Sequence, residues 1–266
     1  MRKERLDILL VDKGLAENRS QAQRMIMAGK VRVAGQPVPK PGMQVALDVQ
    51  IEIEERPRFV SRGGEKLEAA LNYFNIDVHG MVCVDVGAST GGFTDCLIQR
   101  GARKVYAVDV GQGILHWKLR QNERVIVLEK TNARFLNKIP ERPDLVTIDV
   151  SFISLRIMLK VIPSWFEGEN GQVIALVKPQ FEAGKEHADR GKGVIRDAQI
   201  HAMVLKDVLT FATHHDYQIA GLMGSPLKGA KGNIEYLAHL LYPKGREVNL
   251  NQIIEEVIIS RNHENS

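Results

Sequence analysis

The chain has 266 residues, 44% of them hydrophobic and 26% charged, with a formal charge of +4 and an isoelectric point near 9.0. That composition suits one large globular domain, or a large one with a small appendage, and excludes a disordered, collagen-like or disulfide-framed chain. Two cysteines without metal-ligand spacing, a start lacking a signal-peptide core, and no apolar run near the ~18 residues that span a bilayer point to a cytoplasmic protein that engages no membrane.

Charge is uneven along the chain. Through Lys40 there are nine Lys/Arg against four acids, and the remainder is close to neutral. Residues 5–13 carry Leu6, Leu9 and Leu10 at helical spacing and end at Gly14. Ser20 is the expected N-cap of a helix over 21–28, which buries Ala22, Met25 and Ile26 and stops at Gly29. Residues 31–33 and 49–53 alternate as short strands around a turn at 34–37. Arg19, Arg24, Lys30 and Arg32 recur around the second helix and its exit. Such a module can present a basic face to RNA phosphates; a charged solvated surface is the alternative. The runs Arg-Leu-Asp-Ile-Leu-Leu-Val at 5–11 and Asn-Arg-Ser-Gln-Ala-Gln-Arg-Met-Ile-Met-Ala-Gly-Lys-Val-Arg-Val-Ala-Gly at 18–35 resemble the S4 RNA-binding domain. That resemblance implies that Arg19, Ser20, Arg24, Lys30 and Arg32 face RNA, and Arg5 and Arg62 join them as candidates.

Glu54-Glu55-Arg56-Pro57-Arg58 is a charged, proline-broken junction. It divides the chain into an RNA-binding domain at 1–55, a linker at 56–60 and a larger domain at 61–266. A helix follows with Leu67, Ala70, Leu71 and Phe74 on one face. Lys66 lies at its start, where a cation opposes the helix dipole, a slight hint of other work beside the plainer reading of a surface lysine.

The larger domain is organised around Val-Cys-Val-Asp-Val-Gly-Ala-Ser-Thr-Gly-Gly-Phe-Thr-Asp at 82–95, which reads as strand, glycine-rich turn and helix. Ser89 stands where the second glycine of a pyrophosphate-binding loop would be. A cofactor without a pyrophosphate, such as S-adenosylmethionine, fits better, held by Asp85, Gly87, Ser89, Gly91, Gly92 and Phe93. Downstream, strands at 104–110, 125–128, 145–150 and 173–177 alternate with helical stretches at 155–166 and 198–214. Strands at 218–223 and 234–241 close the set with no helix between them. The pattern predicts an α/β fold: a doubly wound, mostly parallel sheet of seven strands with the last antiparallel. That is the Rossmann-like plan of class I methyltransferases, with a small α+β domain ahead of it.

Ligands gather at the carboxyl ends of parallel strands, so the polar residues there are the candidates. Asp109, about 20 residues beyond the glycines, suits ribose hydroxyls. Asn132 can face an adenine edge or serve as an ordinary turn residue. Asp149 and Lys178 end neighbouring buried strands, and Glu235 opens the last strand, returned to the same edge. Charges so placed are usually paired, as a structural staple or as a proton-transfer cluster.

The order Lys66, Asp149, Lys178, Glu235 resembles the Lys-Asp-Lys-Glu tetrad of FtsJ-like RNA 2′-O-methyltransferases. Together with Ser61-Arg-Gly-Gly-Glu-Lys-Leu67, Leu176-Val-Lys-Pro-Gln-Phe-Glu182, Gly191-Lys-Gly-Val-Ile-Arg-Asp197, Ser225-Pro226 and Gly232-Asn-Ile-Glu235, it is similar to the TlyA family over almost the whole chain. The resemblance implies ribosomal RNA in the ribosomal subunits as partner, cytidine 2′-O-methylation as activity and no metal. A ribose hydroxyl is a weak nucleophile until its proton is removed. Lys178 is therefore expected as the base, with desolvation and Lys66 favouring its neutral form and Asp149 and Glu235 pulling the other way, Asp149 orienting it and Lys66 and Glu235 positioning the ribose. Residues 184–197, with Lys185, Arg190, Lys192 and Arg196, read as a loop that closes over RNA or as a solvated surface; residues 255–266 read as a frayed tail. Two other functions stay open: an inactive RNA-binding ribosome-assembly factor, and a haemolysin, as the family is often labelled.

Overall fold

The computed structural model describes residues 2–53, 57–184, 186–187, 191–246 and 248–264. The chain forms two compact units, Met1–Pro57 and Arg58–Ser266.

In the smaller unit β1 (Lys3–Arg5) pairs antiparallel with β4 (Gln44–Ala46). β2 (Val31–Val33) lies between β3 (Gln36–Pro37) and β5 (Ile51–Ile53), antiparallel to both. Helices α1 (Leu6–Asp12) and α2 (Arg19–Met27) close a core of Leu6, Leu9, Leu10, Ala22, Ile26, Val31 and Val45. The cap of α2 differs from the sequence expectation. Asn18 Oδ1 accepts from Gln21 N at 2.9 Å, and Ser20 lies inside the helix. Asn18 and Ser20 are both good capping types, and the cap at Asn18 starts the helix two residues earlier. Asp7 is fully buried. Its carboxylate accepts from Arg5 Nε and Nη2, both at 3.0 Å, from Arg19 Nε at 2.9 Å and from Gln23 Nε2 at 2.8 Å. The Arg5 guanidinium foremost, then Gln23 and Arg19, hold that carboxyl far below the usual carboxylate range.

The larger unit begins with α3 (Gly63–Tyr73) and carries a seven-stranded sheet. Its strands are β6 (Val82–Val86), β7 (Lys104–Val108), β8 (Val125–Leu128), β9 (Leu145–Ile148), β10 (Gly171–Val177), β11 (Gln218–Gly224) and β12 (Tyr236–Tyr242). The order across the sheet is β11-β12-β10-β9-β6-β7-β8, and β12 runs antiparallel to both its neighbours. This is the predicted mostly parallel sheet with an antiparallel last strand. The pleat sends alternate residues to opposite faces. Val82, Val84 and Val86 enter one core, with α6 (Leu155–Val161), α8 (Ala198–Thr213) and α9 (Leu250–Glu264). Cys83 enters the other, with α3, α4 (Gly92–Gln99) and α5 (Trp117–Arg120). Both faces are covered, which is why these strands read as apolar runs rather than alternating ones. A short helix α7 (Pro179–Glu182) follows β10 directly.

One expectation is corrected. The stretch from 255 is not frayed from its start: α9 runs to Glu264, and Ile254 and Val257 are buried in the larger core, while residues 265–266 lie outside the described residues. Ile253, Ile254, Val257 and Ile258 recur at helical spacing and dock on that core, whereas the polar residues between them face away. Ile254→Ala should therefore destabilise the protein by about 2–4 kcal/mol in chemical denaturation. An unchanged midpoint would mean that α9 does not dock.

Candidate active site

The carboxyl ends of β6, β7, β9 and β10 meet at two adjoining cavities. The first, of about 410 Å³, has Val86, Val108, Ala133, Ile153 and Met158 as its apolar lining and Ser89, Asp109, Thr131 and Asn132 among its polar groups. Gly87 turns with φ +82°, and a Cβ there would lie 2.6 Å from the Asp149 carbonyl oxygen. Ser89 adopts φ +51° and donates its backbone N–H to Asp109 Oδ2 at 2.8 Å. Asp109 Oδ1 accepts from Gly111 N at 2.7 Å. The loop and the end of β7 are thus tied together through one carboxylate, which keeps lone pairs for further donors. Asn132 Oδ1 accepts from Arg134 N at 3.1 Å, leaving its amide hydrogens as donors. A cavity of this size, with an apolar floor, a carboxylate and an amide, suits a nucleoside.

The glycines divide by task. A Cβ at Gly91 would overlap Leu119, and one at Gly92 would overlap Ser61 and crowd the first turn of α3. Packing requires both, but Gly92 also lines the second of the two cavities, and Gly87 lines both. Phe93 is buried in the core between α3 and α4, with its ring against Gly63. Asp85, fully buried, accepts from Thr94 N at 2.9 Å, Thr94 Oγ1 at 2.6 Å and Thr147 Oγ1 at 3.2 Å. It straps β6 to α4, while burial pushes its carboxyl up to about 7.

The second cavity, of about 450 Å³, brings Lys66, Asp149, Lys178 and Glu235 together. Lys66 Nζ donates to Glu235 Oε2 at 2.6 Å. Lys178 Nζ lies 2.5 Å from Asp149 Oδ1 as an ion pair without hydrogen-bond alignment, and donates to Ser151 Oγ at 2.8 Å. The register explains the meeting. Val177 pairs with Tyr236, so Lys178 and Glu235 leave adjacent strands side by side. Each lysine thus has its own carboxylate, so Lys66 faces Glu235 rather than standing as an uncompensated cation beside Lys178.

Several groups here escaped the sequence reading. Ser151 follows Asp149 by two residues, the spacing that keeps side chains on one side of an extended chain. Gln180 Nε2 donates to Glu235 Oε1 at 3.3 Å, and its buried Oε1 has no partner among the described residues. A Cβ at Gly229 would overlap the Glu235 carboxylate. Phe152 is 90% exposed at φ +64°, with its ring 5.0 Å from that of Phe181. A bulky residue in the left-handed region is an outlier that local structure must hold in place, and no sequence period announces it. Gly87, Ser89, Asp149 and Ser151 line both cavities and form the wall through which they communicate.

Arg62 directly precedes α3 and lines the second cavity, so it belongs to the larger unit. The other six candidate RNA contacts lie in the smaller unit. Arg24 is exposed, as is Ser20; Lys30 and Arg32 are half-buried. Arg5 and Arg19 are both anchored on Asp7. Lys185 and Arg190 lie outside the described residues. Lys192 and Arg196 are exposed. Ile195 between them is pinned, its N–H donating to Asn233 Oδ1 at 3.1 Å, while Asn233 Nδ2 donates to the Gly193 carbonyl at 2.8 Å.

The sequence profile of the FtsJ-like methyltransferases matches residues 59–242, and that of the S4 domain matches residues 4–51. An rRNA methyltransferase candidate of Bacillus subtilis, YqxC, is 48% identical over 251 residues, 92% of this chain and 89% of that one. The 16S/23S rRNA (cytidine-2′-O)-methyltransferase TlyA of Mycobacterium tuberculosis is 42% identical over 266 residues, 96% of this chain and 98% of that one. A solved structure from Streptococcus thermophilus, described as a hemolysin candidate, covers all of both chains at 43% identity with a TM-score of 0.75. No helix among the described residues is long and apolar enough to cross a membrane.

The Asp85 strap has a pH signature. With its carboxyl raised to about 7, the folded protein keeps a proton between about pH 4 and pH 7 that the unfolded chain has released. Stability from this position falls as pH rises through that window and levels off above it. Asp85→Asn, which cannot titrate, should gain in unfolding midpoint relative to the native protein across the same window, with a constant difference at higher pH. A difference independent of pH would refute the buried, protonated carboxyl.

Proposed function

The chain belongs to the FtsJ-like methyltransferase family, in its TlyA branch, and on that premise we propose that it is an S-adenosylmethionine-dependent 2′-O-methyltransferase of cytidine in ribosomal RNA. The observation that carries the reading is the wall of Gly87, Ser89, Asp149 and Ser151 shared by a nucleoside-sized cavity and a cavity lined by two lysine–carboxylate pairs. On this reading, the methyl donor occupies one side of that wall and the acceptor hydroxyl the other.

In this reading Asp109 takes the ribose hydroxyls of the methyl donor, Asn132 its adenine edge, and the turn at Gly87–Ser89 admits it closely. When bound, S-adenosylmethionine supplies an electrophilic methyl group on a positively charged sulfur. The chain's own groups do the rest. Lys178, as the neutral amine, takes the proton of the 2′-hydroxyl as the oxygen–methyl bond forms, and Asp149 and Ser151 then hold the resulting ammonium on the cavity wall. Lys66, fixed on Glu235, positions the ribose, and Gln180 offers its free carbonyl oxygen to a substrate donor. Orientation of this kind accounts for much of the acceleration in two-substrate transfers. Phe152 and Phe181 present an aromatic face on which a base can stack.

Residues 1–55 are assigned to RNA docking through Arg5, Arg19, Ser20, Arg24, Lys30 and Arg32, residues 56–60 to a linker, and residues 61–266, with Arg62 at the cavity, to methyl transfer. Ribosomal RNA as substrate places the protein in the cytoplasm. The M. tuberculosis relative carries both 16S and 23S rRNA in its name, so both subunits are the substrates to test.

Lys178→Ala and Lys178→Arg should each lower methyl incorporation into ribosomal subunits by about 10²–10⁴-fold, because neither offers a base to the hydroxyl. Tritium transfer from labelled donor reads the rate, and calorimetry should show donor binding retained. A wild-type rate in Lys178→Ala would overturn the role of the lysine. Failure of the native protein to label either rRNA would overturn the enzyme reading in favour of an RNA-binding assembly factor.

A further inference from the structure

Beside the donor cavity lies a third cleft that the reaction does not use. It measures about 630 Å³ and is lined by Arg134, Ser154, Arg156, Ile157, Lys160, Val161 and Phe211. Three of those seven side chains are cations and none is an acid, in a unit whose sequence is otherwise close to neutral. The nearest carboxylate, Glu182, is buried and occupied: it accepts from Ser154 Oγ at 2.8 Å and Leu155 N at 2.6 Å. Arg156 Nε stands 3.7 Å from it and 3.3 Å from Ser154 Oγ, and the terminal guanidinium nitrogens of Arg156 take no hydrogen bond among the described residues. Lys160 is exposed, with Nζ 5.7 Å from the centre of the Phe211 ring. Arg134 lies over the ring of Phe135, which is itself largely exposed.

Arg156 and Lys160 are one helical turn apart on α6, about 6 Å along its axis. They therefore project from one face, on the scale at which a nucleic-acid strand presents successive phosphates. Position completes the case. Ser154, the N-cap of α6, follows Ile153 of the donor cavity and Phe152 at the mouth of the catalytic one, and Arg134 follows Asn132 and Ala133. Cations with neighbouring aromatic rings along a groove are the surface on which a strand's backbone is tracked and its bases stack.

We infer that Arg156 and Lys160, with Arg134, form a phosphate-binding groove for the substrate RNA strand beside its reacting nucleotide. The inference rests on the RNA-methyltransferase reading above and adds a docking surface on the methyltransferase unit itself. The groove contributes binding, not chemistry.

Arg156→Ala/Lys160→Ala should raise KM for ribosomal subunits about tenfold while leaving kcat at saturating RNA unchanged. Two lost phosphate contacts should also reduce the slope of log affinity against log salt, measured with protein-free rRNA, by about 1.4. Lys206→Ala, an exposed cation on α8 that does not line the groove, should change neither. The unfolding midpoint of the double variant should match that of the native protein. Unchanged KM and salt slope would overturn the groove, and so would an equal effect of Lys206→Ala, which would make it net charge alone. Weaker binding to intact subunits with no change on protein-free rRNA would also overturn it, because a ribosomal protein would then be the partner. If the native protein methylates nothing yet the double variant loses rRNA affinity and salt slope, the groove stands and the enzyme reading falls.

Discussion

Two lysines and two carboxylates cannot leave water at one sheet edge unless each finds a partner, and the larger unit is built around that requirement. Burying an unpaired charge costs far more than any single packing contact returns, and removing one member of a buried pair typically costs about 3–5 kcal/mol. Lys66 with Glu235 and Lys178 with Asp149 satisfy it. The solution depends on β12 running backwards between β10 and β11. A parallel strand in that slot would put its first residue at the opposite end of the sheet, and Glu235 would be lost from the site. The antiparallel strand is thus the feature that assembles the tetrad.

The glycine-rich loop lines the cavities and also serves the scaffold. Gly91 and Gly92 make room for Leu119 and for α3, and Asp85 spends its hydrogen-bonding capacity on Thr94 and Thr147. The loop's hold on its neighbour runs through the Ser89 N–H and the Asp109 carboxylate. Close packing of α3 on α4 also matters to the chemistry, since α3 delivers Lys66 to Glu235. In this way the tight turn after β6 shapes both cavities at once.

The smaller unit shows the same economy at smaller scale. Two short helices and two small sheets provide little apolar core, and a buried Asp7 supplements it by gathering Arg5, Arg19 and Gln23. The arginines keep part of their guanidinium surface exposed. The carboxylate that fastens them also restricts their rotamers.

Legibility varied with the range of the interaction. Strand positions in the larger unit could be read because each is an apolar run punctuated by glycine, aspartate or proline, and the antiparallel close followed from a connection too short for a crossover. Asp149, Lys178 and Glu235 were visible as charges at strand ends, and Lys66 as a cation at the start of a helix. Ser20 was misassigned as a cap because Asn18, an equally good capping type two residues earlier, takes the N–H of Gln21 and starts the helix there. The helix at α9 was missed because its apolar stripe is narrow and charged residues interrupt it; only the waiting core surface decides that it docks. Asp7 gave no signal, as an acid at the start of a helix looks like any solvated charge. By itself, then, the sequence determined the alternation of elements, the strand-end candidates and the family, since these are local patterns of polarity and spacing. Which lysine meets which carboxylate, which glycines serve packing and how Phe152 is held outward were decided only in the tertiary structure, because each depends on atoms distant in the chain meeting within a few ångströms. The stretch at 82–95 belongs to both accounts: its turn was plain in the sequence, and its work as the joint between two cavities was not.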